Sequence, residues 1–216
     1  MIRLLNPVKR ILTVLKPVLE NPIIYRFYQH LIGDSNFRKN YVQKYINAKL
    51  NDKILDIGCG PANMIDYLPS EIEYLGFDKS KDYINFAKKK YSSNSYKFIS
   101  ASISNVDLRE KNFDIVMGNA VLMNLSDKDA DLLFKTAKDV LKDNGRLVIY
   151  DGYYQDSLSF IKKFLLSNER GKFLRTKEDY YKLASKYFQD VHITTPDNVY
   201  NIPYPIIIIE CVKIAS

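Results

Sequence analysis

Ile54-Leu55-Asp56-Ile57-Gly58-Cys59-Gly60-Pro61-Ala62 decides how this chain is read. An apolar, β-branched run enters a glycine turn, and helical spacing resumes at residues 62–68. Gly58 and Gly60 permit positive φ and let a ligand approach the main chain closely. Asp56 stands at the carboxyl end of the strand, where open α/β sheets bind ligands at a topological switch point. A carboxylate there suits a cation or an amino group better than a pyrophosphate. Position 63 is Asn63, so the dinucleotide pattern G-x-G-x-x-G is absent. About 20 residues on, Tyr74-Leu75-Gly76-Phe77-Asp78 closes the next apolar run with a second acid, an acceptor suited to ribose hydroxyls. A glycine turn after one strand and an acid after the next form an adenosine-binding arrangement.

Outward from this motif, apolar runs at 53–57, 73–77, 97–99, 113–117 and 146–150 read as strands. They alternate with helical spacing at 62–68, 81–91, 127–141, 155–166 and 177–187. Asn144-Gly145 ends the helix before 146–150. This alternation predicts an α/β fold with a parallel, doubly wound sheet. The last two runs, 191–194 and 206–212, have no clear helix between them and predict an antiparallel hairpin at one edge. Residues 1–50 read differently, as a helical arm of three short helices. Asn6-Pro7 and Asn21-Pro22 supply two helix starts, Gly33 a stop, and Ser35 or Asn36 a cap for a third helix running to about Ala48. The expected organisation is an arm over 1–50 and an α/β domain over 51–216.

The chain has 216 residues, 46% hydrophobic and 26% charged, enough for a full core in one domain. Its two cysteines, Cys59 and Cys211, can form neither a disulfide framework nor a four-cysteine zinc site, and His30 and His192 lie far apart, so no metal is expected. The net charge of +7 suggests an acidic partner, but it is unevenly distributed. Residues 1–50 hold nine Lys/Arg against two acids, and residues 51–216 hold 23 of each. The α/β domain is thus electrically balanced. The basic, amphipathic first helix reads as a packed arm or as a peripheral anchor on an anionic membrane through residues 1–20. It is Lys-rich, and no nucleic-acid-binding module is recognisable, so a nucleic-acid partner is disfavoured. No stretch of 18 uncharged apolar residues and no secretory signal is found, which gives a cytoplasmic expectation.

Four segments in order resemble the class I S-adenosylmethionine-dependent methyltransferases. They are Leu55–Gly60, Asp78, Phe113-Asp114-Ile115-Val116, and Leu141-Lys142-Asp143-Asn144-Gly145-Arg146-Leu147. The resemblance implies a Rossmann-like, seven-stranded mixed sheet in the order 3-2-1-4-5-7-6, with strand 7 antiparallel. It implies S-adenosylmethionine as cofactor and S-adenosylhomocysteine as product. The cofactor set is Asp56, Gly58, Cys59, Gly60, Asp78, Lys79, Ser102, Ile103 and Asn119. Ser102 takes the place where family members often carry an adenine-binding acid, and Asn119 opens the loop that contacts the methionine part. Asp114 reads as structural. A narrower resemblance, through 167–176 and Ile202-Pro203-Tyr204, is to bacterial methyltransferases of surface-polysaccharide and cell-envelope gene neighbourhoods.

The sulfonium already activates the methyl group, so the enzyme contributes chiefly alignment and desolvation. A hydroxyl acceptor also needs its proton removed. No residue is marked as that base: Asn124 stands where relatives carry histidine, and His30 and Tyr28 on the arm are the other catalytic candidates. Arg170 and Arg175 are candidates for a substrate anion clamp, and Tyr153 and Tyr204 for lining the pocket, among 17 tyrosines. After the fourth strand stands Gly118-Asn119-Ala120-Val121 in place of the Asn/Asp-Pro-Pro-aromatic motif of amino-methylases, and no Pro-Cys nucleophile occurs. The leading expectation is methylation of a small or lipid-linked polar acceptor, first of all O-methylation of a sugar. The alternatives are RNA methylation through the basic arm and a non-catalytic protein that keeps the cofactor fold. The oligomeric state is left open.

Overall fold

In the computed structural model, which describes residues 34–154, 173–197 and 205–215, the opening motif forms β1 (Lys53–Ile57), buried from Ile54 onward. It lies parallel between β2 (Glu73–Asp78) and β4 (Phe113–Asn119). On one side β3 (Tyr96–Ser100) extends the sheet, and on the other β5 (Leu141–Gly152) does so. β7 (Ile206–Val212) runs antiparallel to β5 and to the edge strand β6 (Asp190–Thr194). The order β3-β2-β1-β4-β5-β7-β6 is the mixed sheet expected from the sequence, with its antiparallel strand 7 and edge hairpin. The order reverses between β1 and β4, and the carboxyl ends of these two strands bound the crevice.

Alternation along the strands divides the core in two. Leu55, Ile57, Val116, Leu147 and Ile149 face α3 (Asp127–Val140) and α4 (Lys177–Ser185). Ile54, Tyr74, Ile115, Met117 and Tyr150 face the other side. There they meet Phe37 and Tyr41 of α1 (Asp34–Tyr41) and Tyr45 and Ile46 of the π-helical turn that continues it (Val42–Ile46). Ser35 and Asn36, expected as caps, already lie inside α1. The turn closes on Asn47, which adopts φ 42 and donates its amide to Val42 O at 2.7 Å. Its last carbonyls are capped from the sheet, since the Arg146 guanidinium donates to Tyr45 O at 3.1 Å and Ile46 O at 2.6 Å. Residues 34–46 therefore share a core with the strands.

The other helices start where side chains cap them. Ser80 accepts from the Tyr83 amide at the start of α2 (Lys81–Lys90), Ser126 from Asp129 before α3, and Thr176 forms a capping box with Asp179 before α4. The helix expected at 62–68 is only a 3₁₀ turn, Asn63–Tyr67. Ala62 enters it at φ 57, and Leu68 leaves it extended, as a residue before proline prefers. At β5 the register jumps between Phe113↔Leu141 and Ile115↔Arg146, so Lys142–Gly145 bulges out of the ladder. Gly145 is required there: a Cβ would stand 2.8 Å from Lys142 O and 2.9 Å from Phe113 O. Among the described residues no helix is long and apolar enough to cross a membrane.

Candidate active site

The glycine turn leaves β1 with Gly58 at φ 71 and Gly60 at φ 54, both in the left-handed region. A Cβ on Gly58 would lie 2.6 Å from Val121 Cγ2, so this position is closed by the loop after β4. Gly60 is different, because a Cβ there would meet nothing nearer than Tyr83 Cδ2 at 4.0 Å. The turn is fixed from β2. The Gly58 and Cys59 amides donate to Phe77 O at 2.9 and 3.0 Å, and the Gly60 amide donates to Asp78 Oδ2 at 3.0 Å. Asp78 Oδ1 accepts from the Ser80 amide at 2.8 Å. One carboxylate thus joins the turn to the start of α2 and keeps further lone pairs for a ligand. The Cys59 side chain packs over Gly76, and burial pushes its thiol pKa well up, so it serves as a small apolar residue.

Asp56 is 2% exposed. Its Oδ2 accepts from the Tyr74 hydroxyl at 2.6 Å, whereas Oδ1 has no hydrogen-bond partner among the described residues. Burial raises its pKa to about 7, Tyr74 opposes the rise, and Asp78 adds to it against Arg38. Asn119, two residues beyond the Met117 that pairs with Asp56, points to the same face. Both polar atoms of its amide are buried without a partner among the described residues. The Tyr41 hydroxyl is a third such group. Its ring packs edge-on against Tyr150 at 5.0 Å, and burial, Tyr150 and Asp56 all raise its pKa. Buried polar groups are normally satisfied, so an acceptor, an amide and a hydroxyl left unpaired in one region mark a place built for a polar ligand. A group with an ammonium and a carboxylate, such as the methionine part of the expected cofactor, fits that donor and acceptor set.

The residues expected to meet adenosine are less enclosed. Ser102 donates its hydroxyl to Asn105 Oδ1 at 2.9 Å and retains lone pairs for an amine donor. Ile103 is buried against the core below, and Lys79 is exposed beside Asp78. Asn124 is exposed and donates to Ala120 O at 3.1 Å, closing the loop after β4. Asp114 lies at the other end of its strand, accepting from the Lys53 amide at 2.9 Å and pairing with Lys142. Burial works against its charged form, but these partners prevail and hold its pKa below the usual range, which is the structural role expected.

The expected anion clamp is corrected at Arg175. This side chain is 6% exposed, and its five N–H groups are all used within the protein. Nε and Nη2 donate to Asp127 Oδ1 at 3.1 and 2.7 Å, Nη1 to Leu122 O and Phe173 O at 2.9 and 3.2 Å, and Nη2 to Leu125 O at 2.9 Å. Arg175 therefore straps the segment after β5 to the loop after β4 and has no donor for a substrate. Tyr153 is half-buried against the core. Tyr28, His30, Arg170, Tyr204 and the membrane-contact segment 1–20 lie outside the described residues. Sequence reasoning missed Tyr41 and Tyr74, which read as core aromatics. It also missed Asp151, fully buried at the end of β5, where it accepts from the Met123 and Gly152 amides at 3.2 and 2.8 Å.

Residues 48–202 match the family model described as "Methyltransferase domain". The chain is 27% identical over 191 residues to ribosomal RNA large subunit methyltransferase E of Brachyspira hyodysenteriae, covering 79% of this chain and 86% of that one. It is 30% identical over 123 residues to phosphoethanolamine N-methyltransferase 1 of Arabidopsis thaliana, covering 55% of this chain but 24% of the plant enzyme. Among solved structures it superposes with TM-score 0.73 on phosphoethanolamine N-methyltransferase 2 of Haemonchus contortus, crystallised with phosphomonomethylethanolamine and S-adenosylhomocysteine. That match is 17% identical and covers 93% of this chain and 59% of the other. With its motifs, its strand order and a family match over most of its length, the chain belongs to the class I S-adenosylmethionine-dependent methyltransferases.

Proposed function

We propose that this protein transfers the methyl group of S-adenosylmethionine to a small or lipid-linked polar acceptor, with O-methylation of a sugar or similar metabolite as the leading case. The observation that carries the cofactor half is the buried, unpartnered Asp56 Oδ1 beside the open Gly60 turn. In this reading Asp56 receives the ammonium of the methionine part, Asn119 the carboxylate, Gly58–Gly60 the chain between them, Asp78 the ribose, and Ser102 and Ile103 the adenine. The cofactor supplies a methyl carbon on a positively charged sulfur. Bound there, it would offer the acceptor oxygen an electrophilic carbon, with sulfur as the leaving group that would keep the electron pair of the carbon–sulfur bond. The proton of the hydroxyl leaves to a base or to water. The protein's own share is to hold the two reactants in line and keep bulk water out.

A second reading, methylation of an amine, is favoured by the two phosphoethanolamine N-methyltransferases among the relatives and neighbours. An amine needs only to be neutral at the moment of attack, so no strong base is required. RNA is the weaker alternative, because residues 51–216 carry equal numbers of bases and acids and a phosphate-driven complex would rest on the arm alone. We propose a cytoplasmic location, with residues 1–20 either packed as part of the arm or touching an anionic membrane surface.

The test is transfer of labelled methyl from S-adenosylmethionine to a panel of nucleotide sugars, phosphoethanolamine and ribosomal RNA. Label on a sugar supports the leading case, label on phosphoethanolamine supports the second, and label on RNA alone overturns both. Absence of calorimetric heat with both S-adenosylmethionine and S-adenosylhomocysteine would make the chain a non-catalytic scaffold. Sedimentation with anionic liposomes, with and without residues 1–20, tests the membrane contact, and equal binding by both forms removes it.

A further inference from the structure

We infer that Tyr74 is a positioning residue for cofactor binding: its hydroxyl occupies one oxygen of Asp56 and so fixes which oxygen is offered to the ammonium group. The inference rests on the role proposed above for Asp56. The geometry begins in the register of β1 and β2, where Asp56 pairs with Gly76, and Tyr74 pairs with Ile54 one pleat back. To reach Asp56 the Tyr74 ring must lie along the sheet and across position 76. Only glycine permits this, since a Cβ on Gly76 would stand 2.8 Å from Tyr74 Cε1 and 2.9 Å from Cys59 Sγ. The ring is 1% exposed and is held from the far side by Tyr96 and Phe98, with centroids at 6.1 and 5.8 Å. Packed in this way, its hydroxyl meets Asp56 Oδ2 at 2.6 Å, the length of a hydrogen bond to an ionised acceptor.

Two consequences follow for the carboxylate. It cannot rotate freely, so the unpartnered Oδ1 keeps a constant direction. It is also easier to ionise, because the bond favours the charged form against burial. Tyr74 remains a donor throughout the working range, since burial and the neighbouring Asp56 push its own pKa well up. Among the described residues, the titratable and charged groups facing Asp56 are Arg38 and Tyr41 from α1, Tyr74 and Asp78 from β2, and Cys59 from the glycine turn.

The experiment is calorimetric titration of the full chain with S-adenosylmethionine between pH 5.5 and pH 8, for wild type, Y74F and D56N. Affinity of the wild type rises with pH as Asp56 ionises. In Y74F the rise is displaced upward by about one pH unit, a roughly tenfold loss of affinity on the acid side that narrows as pH increases. KM for S-adenosylmethionine follows the affinity, while kcat at saturating cofactor changes little. A folded Y74F whose profile coincides with that of wild type overturns the role of Tyr74. A wild-type affinity independent of pH, or a D56N profile equal to that of wild type, overturns the reading of Asp56 instead.

Discussion

The amide of Gly60 donates to Asp78 Oδ2 across 3.0 Å, joining two carboxyl-end loops that are 18 residues apart in sequence. The same carboxylate anchors the Ser80 amide. Asp78→Ala therefore loosens the turn and, in the proposed reading, also removes the acceptor for the ribose. Charge-assisted hydrogen bonds contribute about 1.5–3 kcal/mol each, so S-adenosylmethionine affinity should fall by roughly 10- to 100-fold. Calorimetric titration of the variant measures this, and an unchanged dissociation constant would exclude Asp78 from the site.

Two glycines should fail in opposite ways. Gly60→Ala places a methyl group in open space at φ 54, which costs about 1–2 kcal/mol of backbone strain but obstructs ligand approach. Gly145→Ala drives a methyl group into two backbone carbonyls at the β5 bulge, far from the glycine turn, at a cost of about 1–3 kcal/mol. Urea unfolding and cofactor titration on both variants should show lost binding with a modest loss of stability for the first. The second should lose stability and, while folded, keep normal binding.

Arg175→Ala should destabilise the fold without changing acceptor recognition. It strips donors from the carbonyls of Leu122, Phe173 and Leu125, and unsatisfied buried groups cost about 1–3 kcal/mol each before relaxation. Asp127 is itself 89% exposed, but Asp127→Ala leaves two donors of the buried Arg175 guanidinium without their acceptor, so it should cost less than Arg175→Ala but more than an exposed ion pair. Denaturant midpoints separate the two. An acceptor KM raised tenfold in a stable Arg175 variant would restore the anion clamp.

Asp56 should leave a signature in the pH dependence of stability of the ligand-free protein. Its ordinary pKa is 3.8 and the folded value is about 7, so the folded state binds the extra proton between those limits. Stability from this group therefore falls as pH rises from about 4 to about 7 and is flat above. Asp56→Asn removes the titration. The stability of the variant relative to wild type should increase across that window and then level off, as read from urea unfolding at pH 4.5, 6 and 8. A constant difference would place Asp56 in a less buried setting.

The same buried carboxylate shows how far sequence reading extends. Alternation along the strands and the Gly58–Gly60 turn are local patterns, and they led to the parallel sheet, its antiparallel edge hairpin and the left-handed glycine turn, while the full strand order followed from the family resemblance. The 3₁₀ turn at Asn63–Tyr67 escaped because a left-handed Ala62 is not a pattern that apolar spacing reveals. Arg175 read as a free cation, since its acceptors on Leu122, Leu125 and Asp127 lie 53, 50 and 48 residues away.

Sequence by itself determined the sheet, the site of the glycine turn, the pair of acids at its rim and the confinement of the excess charge to residues 1–50. Each of these depends on residue type and short spacing, which the chain states directly. Only the tertiary structure decided that Asp56 is buried with one oxygen free, that Tyr74 crosses Gly76 to hold the other, and that Arg175 is spent on backbone carbonyls. Whether a polar group is partnered depends on the register of neighbouring strands and on loops packed from a distance, and hydrogen bonding acts over ångströms in space, not along the chain.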